Sequence, residues 1–347
     1  MNLLVTGGAG FIGTNFVHYW LRTHPEDRVV VLDALTYAGH LDNLAACRGN
    51  PRFRFVEGDI ADEQQVLALL REETVSTLVH FAAESHVDRS IDGPEAFVQT
   101  NIVGTHALLR AARTAWLEGD GTPHRFHHVS TDEVYGSLDP DAPAFTEATP
   151  YAPNSPYAAS KAASDHLVRA YGETYGLQAT ISNCSNNYGP WQLPEKLIPL
   201  AIRRLLAGRP VPVYGDGGNV RDWLHVEDHC RGIEAVLERG TPGRTYNIGG
   251  HNERTNIDVV RQLCRLFDQR FAGKVAGGHE SLIEFVTDRP GHDRRYAIDP
   301  TRMETELGFR IERRFEDGLA ETLDWCLDHN DWLERHAQPL PAWLNNA

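Results

Sequence analysis

Short apolar runs alternate with stretches of helical spacing through the first half of the chain. Residues 2–6 (NLLVT), 28–33 (RVVVLD), 53–57, 77–82, 124–130 (HRFHHVS) and 178–184 (QATISNC) read as strands. Between them, 13–22, 98–117 and 157–175 carry apolar residues at helical period. This alternation predicts an α/β fold with a doubly wound parallel sheet. The character changes after about residue 186. Helices are expected near 195–207, 227–238 and 256–268, and strands at 211–214 and 245–248. Residues 273–278 read as a loop. The stretch 316–335 reads as one amphipathic helix carrying Leu319, Leu323, Trp325 and Leu327.

Composition narrows the function classes. The 347 residues allow one large domain or two fused ones. With 48 acids against 33 bases, the net charge of -15 argues against a general nucleic-acid binder. The five cysteines are scattered and show no C-x-x-C spacing, so neither a disulfide scaffold nor a zinc site is expected. A reducing, cytoplasmic compartment is the expectation. The chain begins without a basic, signal-like segment, and no apolar run is long enough to span a membrane.

A glycine motif follows the first strand. Gly7, Gly10 and Gly13 stand as G-x-x-G-x-x-G where a helix opens. Glycine lets backbone approach a pyrophosphate, and the helix N-terminus offers N–H groups to it. Asp33, at the end of the second strand, is placed to accept the ribose hydroxyls of an adenosine. An acid there repels a 2′-phosphate, so NAD is expected rather than NADP. A Rossmann-type, NAD-binding domain is therefore predicted over 1–185. A smaller mixed α/β, mainly substrate-binding portion is predicted over 186–335, with possible segments crossing back, and a tail over 336–347. Asp59 either meets the adenine or caps a helix; sequence leaves both open.

Tyr157 and Lys161 share one face of a predicted helix. A nearby ammonium favours a phenolate, so a lowered Tyr157 pKa is expected, suiting it to take a hydroxyl proton as hydride leaves the same carbon. Ser130 or Thr131 would hold the reacting oxygen. Asp132 and Glu133 are more than hydride transfer needs. Two adjacent carboxyls can divide into acid and base, as elimination of water requires, or they can merely cap the next element. His80, His86, His127 and His128 lie near strand ends without a metal-ligand spacing, and structural roles are expected.

Taken together, GGAGFIG (7–13), LDALTYAG (32–39), FAAESHVDRSI (81–91), STDEVYG (130–136), YAASK (157–161), NNYGP (186–190), PEKLIP (194–199), YGDG (214–217), RDWLHVEDH (221–229), YNIGG (246–250) and RPGHDRRYAID (289–299) resemble the dTDP-glucose 4,6-dehydratases. These belong to the extended short-chain dehydrogenase/reductase superfamily. The resemblance covers nearly the whole chain. It implies a redox-neutral lyase cycle on tightly held NAD, from dTDP-glucose to dTDP-4-keto-6-deoxy-glucose, an early step toward rhamnose and other deoxysugars. It implies Tyr157 as base for the C4 hydroxyl, Thr131 on the C4 oxygen, Glu133 as base at C5 and Asp132 as acid for the C6 hydroxyl. It places Lys161, Phe11, Ile12, Leu35, Thr36, Ala38, Gly39, Asp59, Ile60, Ala82, Ala83 and Thr100 at the cofactor. It places Ser85, Asn186, Lys196, Leu197, Arg221, Asn256, Arg289, His292 and Tyr296 around the nucleotide sugar. It also implies a homodimer through the helices near 98–117 and 157–175, with no metal, membrane or nucleic-acid partner.

Three positions depart from the family pattern. Trp191 and Leu193 stand where Tyr and Phe are expected, and His40 where Asn is usual. The rival reading is another nucleotide-sugar enzyme of the same fold, such as a 4-epimerase or a UDP-glucuronate decarboxylase. An epimerase does not need the Asp132–Glu133 pair, and a decarboxylase pocket for a carboxylate would be repelled by it. A damaged reacting centre would instead mark a non-catalytic NAD-binding protein, and this centre is intact.

Overall fold

The structure is a computed structural model that describes residues 1–119, 121, 123–288 and 291–337. Arg289 and the tail beyond residue 337 lie outside the described residues. Twelve described strands follow in chain order. The first six are β1 (Asn2–Thr6), β2 (Arg28–Asp33), β3 (Phe53–Glu57), β4 (Thr77–His80), β5 (Arg125–Thr131) and β6 (Ala179–Cys184). The rest are β7 (Asn186–Tyr188), β8 (Val211–Tyr214), β9 (Val220–His225), β10 (Thr245–Ile248), β11 (Glu253–Thr255) and β12 (Ile283–Val286).

Seven strands form one sheet in the order β10-β6-β5-β4-β1-β2-β3, parallel throughout. Its centre is apolar because both faces are covered. Successive side chains take opposite faces. Leu3, Val5, Val29 and Val31 pack with Phe16, Trp20, Ile233 and Val236, while Leu4, Val30 and Leu32 pack with Val66, Leu69, Leu108 and Val168. Helices Phe11–Thr23 and Val226–Arg239 thus share one face, and helices Glu63–Glu72, Thr105–Ala112 and Pro156–Tyr175 the other. Strand order reverses between β1 and β4, which leaves a crevice at their C-terminal ends.

The C-terminal portion is not a wholly separate layer. β10 pairs with β6 at the edge of the main sheet. Helix Val226–Arg239 contacts helix Phe11–Thr23, where Tyr19 donates to Glu234 (2.6 Å). The other short strands build β11-β9-β7 and β12-β8 sheets. They rest on a third apolar cluster containing Ile202, Val213, Trp223, Val260, Phe315 and Leu323.

Several elements differ from expectation. Helix Glu63–Glu72 was not anticipated; Asp62 caps it by accepting from the N–H groups of Gln64 and Gln65. The helical segment expected over 98–117 runs from Glu95 to Leu117 and contains π-helical turns at Val98–Gly104 and Arg113–Leu117. The single helix expected over 316–335 is broken at His329 into Phe315–Asp328 and Asn330–Arg335.

Candidate active site

The cleft at the switch point begins with the glycine turn. Gly7 has φ of +71°, and a Cβ there would lie 2.6 Å from the Ala82 nitrogen. A Cβ on Gly13 would lie 2.2 Å from the Gly7 carbonyl oxygen, so helix and turn meet only without a side chain. Gly10 has no protein atom closer than 3.4 Å to such a Cβ. Its bare face is open to the cleft.

Asp33 is fixed beside this turn by two backbone donors, Ala9 N–H and Leu35 N–H, each at 2.9 Å. Burial raises its pKa, and those two N–H groups work against the rise. Phe11, Ile12, Thr36, Ala38, Gly39, Asp59, Ile60, Ala82, Ala83 and Thr100 line the same cleft. Asp59 also accepts from Ala61 N–H at 2.8 Å, so it serves a turn as well as facing the cleft. Leu35 is outside the lining; its N–H holds Asp33 instead. An adenosine-bearing dinucleotide fits this donor set: an exposed helix N-terminus, side-chain-free backbone and an oriented carboxylate.

The reacting end lies at the tips of β5 and β6. Thr131, Asp132, Glu133, Tyr157, Lys161, Ser85, Asn186 and Lys196 all line it. Ser130 Oγ donates to Asp165 (2.8 Å) and is thereby committed inward. Thr131 Oγ1 accepts from Glu133 N–H at 3.3 Å and donates to Asp132 Oδ1 at 3.4 Å. Both residues line the cleft, and only Ser130 has its hydroxyl bound to Asp165.

Asp132 is only 2 % exposed, and its Oδ2 has no hydrogen-bond partner. Burial, then the charges of Glu133 and Asp222, push its pKa well above the usual carboxyl range, against Arg221. Burial thus favours its protonated form. Glu133, half-buried beside it, belongs to the short helical turn Asp132–Tyr135. Two adjacent carboxyls thus sit in different environments.

One expectation is corrected. Tyr157 has a raised pKa, from burial and then the Glu133 charge, with Thr131 opposing. Lys161 is turned toward β5, where Nζ donates to the Val129 carbonyl at 2.8 Å. Shared helix face placed the two residues together, but the ammonium's hydrogen bonding is decided by the strand beneath.

Arg221 is buried on β9. Its guanidinium stacks over the Tyr296 ring at 4.3 Å and donates to the carbonyls of Val220 and Asp293. Arg221, Tyr296, Leu197, Asn256 and His292 are not in the cleft lining; His292 lies 2.6 Å from Asp288. Arg289 is outside the described residues. Sequence reasoning missed Ser185, Asn187 and Gln192, which do line the cleft. Buried oxygens of Asn186 (Oδ1) and Gln192 (Oε1) have no protein partner. The NNYGP run was the available signal for them.

The departures from the family pattern also have places. Leu193 lines the cleft. Trp191 packs edge-on against Trp325 and Trp332, and His40 lies 3.8 Å from the His336 ring. The latter two serve packing of the C-terminal helices.

Comparison with known proteins agrees with this geometry. The GDP-mannose 4,6-dehydratase family model matches residues 4–322. A dTDP-glucose 4,6-dehydratase of Xanthomonas campestris pv. campestris is 57% identical over 334 residues, covering 95% of this chain and 94% of the relative. The chain belongs to the dTDP-glucose 4,6-dehydratase family. A solved family member from Streptomyces venezuelae with NAD bound superposes with a TM-score of 0.89 at 50% identity, covering 97% of this chain and 100% of that one. The UDP-glucose 4-epimerase of Thermotoga maritima, at 27% identity, still gives a TM-score of 0.83, over 95% of this chain and 100% of that one. The fold therefore does not separate epimerase from dehydratase, and the reacting residues must.

Proposed function

We propose that the protein is a hydro-lyase converting dTDP-glucose to dTDP-4-keto-6-deoxy-glucose and water. The observation that carries this reading is the buried Asp132, whose surroundings favour its protonated form, beside the half-buried Glu133 in a cleft shared with Tyr157 and Lys161. Bound NAD supplies a hydride acceptor that later returns the hydride. Tyr157 takes the C4 hydroxyl proton, and Thr131 hydrogen-bonds the C4 oxygen. The resulting 4-keto group acidifies C5, whose proton Glu133 removes. Asp132, already protonated, donates to the departing C6 hydroxyl. Glu133 finally returns its proton to C5. Lys161 steadies the cofactor ribose, and Tyr157 works from a high pKa that the positive charge brought by the cofactor would lower.

Residues 1–185 chiefly hold NAD and 186–335 chiefly hold the nucleotide sugar, although β10 serves the main sheet. Ser85, Asn186 and Lys196 face the sugar side of the cleft. Leu197, Arg221, Asn256, Arg289, His292 and Tyr296 form the outer binding set, Arg221 suiting a diphosphate by its donor fork. A homodimer would cover Val98, Val103 and Tyr175, which are exposed along the two helical segments named for it. Five free, buried cysteines suit a cytoplasmic setting, and no described helix is long and apolar enough to cross a membrane.

The test is incubation of the purified protein with dTDP-glucose, UDP-glucose, CDP-glucose and GDP-mannose, without added reductant, followed by mass spectrometry. Loss of one water from dTDP-glucose alone is the expected result. An isomer of UDP-glucose with no mass change would move the assignment to an epimerase.

A further inference from the structure

Beneath the cleft a buried polar chain runs from Lys161 to His128 and Asp165, the last two without a part in the reaction steps above. Tyr157, Lys161 and Asp165 recur at every fourth position of helix Pro156–Tyr175. Lys161 Nζ lies 3.4 Å from Nε2 of His128, and that same nitrogen lies 3.2 Å from Oδ1 of Asp165. Asp165 Oδ2 accepts from Ser130 Oγ at 2.8 Å and from Tyr151 OH at 2.9 Å. His128 and Asp165 are 0% and 2% exposed.

The groups packed around this chain come from four elements and a loop. Lys161 is faced by His128 of β5, Cys184 of β6 and Asp165 of its own helix. His80 of β4 stands behind His128, ring centres 5.1 Å apart. Asp165 is faced by Ser130 and His128 of β5, by Tyr151 and Tyr135, and by Asn183, which hydrogen-bonds Tyr151. His128 stays neutral, because burial and then Lys161 lower its pKa. A neutral ring cannot balance a buried ammonium, whereas the carboxylate behind it can.

We propose that Asp165 is a positioning residue for the dehydratase reaction, whose carboxylate acts by its charge, across the intervening His128 ring, to keep Lys161 charged beside the cofactor. This rests on the dehydratase reading. Burial lowers Lys161 to about 8, and Asp165 is the leading influence in the other direction. Burial raises Asp165 to about 6, with Lys161 and the hydroxyl donors opposing. The pair is therefore complete between about pH 6 and 8. A second cavity, sharing no lining residue with the cleft, is lined by Asp165 and Tyr151 together with Glu147, His166, Arg169 and Arg302. Asp165 therefore borders space that a ligand in the cleft does not occupy.

The test is the pH profile of kcat for the NAD-loaded enzyme at saturating dTDP-glucose. Asp165→Asn keeps shape and removes the charge. Its basic limb should move down by about one pH unit, giving roughly a fivefold loss at pH 8 and little loss at pH 6.5. His128→Gln, which removes the bridging ring, should move the limb the same way by less. It carries the test alone if Asp165→Asn fails to retain NAD. An unmoved limb, or an equal loss at every pH, would reduce Asp165 to a structural role and overturn the proposal. If the parent enzyme removes no water from dTDP-glucose, the functional reading fails before this one is reached.

Discussion

The two ends of the cleft solve opposite problems. At the cofactor end the work is done by backbone, and its carboxylates, Asp33 and Asp59, already accept backbone N–H groups. At the reacting end, polar atoms of Asp132, Asn186 and Gln192 are buried without protein partners. A buried polar group left unpaired costs roughly 1–3 kcal/mol. The first end can therefore be stable and functional at once. The second is held in a destabilising state that a bound sugar can relieve, and it depends on the rest of the fold to hold it.

The sharpest way to test that contrast is at Glu133. Glu133→Gln is expected to lower dehydration by roughly 10²–10⁴-fold. C4 oxidation should survive, so reduced cofactor accumulates at its near-ultraviolet absorbance. Product formation at the parental rate would sink the acid/base division. Asp132→Asn should lose dehydration without losing thermal stability, because a neutral amide replaces a neutral acid. A fall in melting temperature as large as that of a core mutation would contradict the description of Asp132.

Next in size is the glycine pair. Gly13→Ala forces a Cβ to 2.2 Å from the Gly7 oxygen, an overpacking expected to cost about 1–3 kcal/mol and the bound NAD. Gly10→Ala meets nothing closer than 3.4 Å, so it should keep its melting temperature and lose only cofactor affinity. Equal destabilisation by both would erase the distinction between packing and binding glycines.

Stability should also depend on pH. His127 and His229 are fully buried, and burial lowers each to about 3. A histidine whose folded pKa lies below its unfolded value stabilises the fold above about pH 6.5. That contribution is lost as pH falls through the range down to about 3. Thermal melts from pH 7 to pH 4 should therefore show a progressive loss. His127→Gln should flatten it, and an unchanged slope would refute the assignment.

The smallest effect is expected at a contact outside the cleft lining. Trp332→Phe removes a 2.8 Å hydrogen bond to Asn43 and should cost about 1 kcal/mol in denaturant unfolding. A loss of bound NAD comparable to that of Gly10→Ala would show that this contact holds the cofactor end.

Legibility followed the range of the interaction. Strands such as Asn2–Thr6 and Arg28–Asp33 were readable because a two-sided sheet demands continuous apolar runs. Asp33, the glycines and the Tyr157–Lys161 pair were readable because local spacing places them. Helix Glu63–Glu72 was missed although Asp62 signalled its start; only Val66, Leu69 and Leu70 bury there. β7, β9 and β11 are three to six residues long and owe their pairing to distant partners. The stacking of Tyr296 on Arg221 joins positions that no local pattern links. The direction of the Lys161 ammonium depends on the Val129 carbonyl below it, which a helical period does not encode.

The clasp at Trp332 carries a further meaning. The segment flanking the adenosine side of the cleft, Asp42–Asn43, is gripped by Trp332, Arg335 and His336. Positions 289 residues apart are thereby pinned together, so the far end of the described chain helps to fix the stretch that hydrogen-bonds the glycine turn through Asn43 and Ala9.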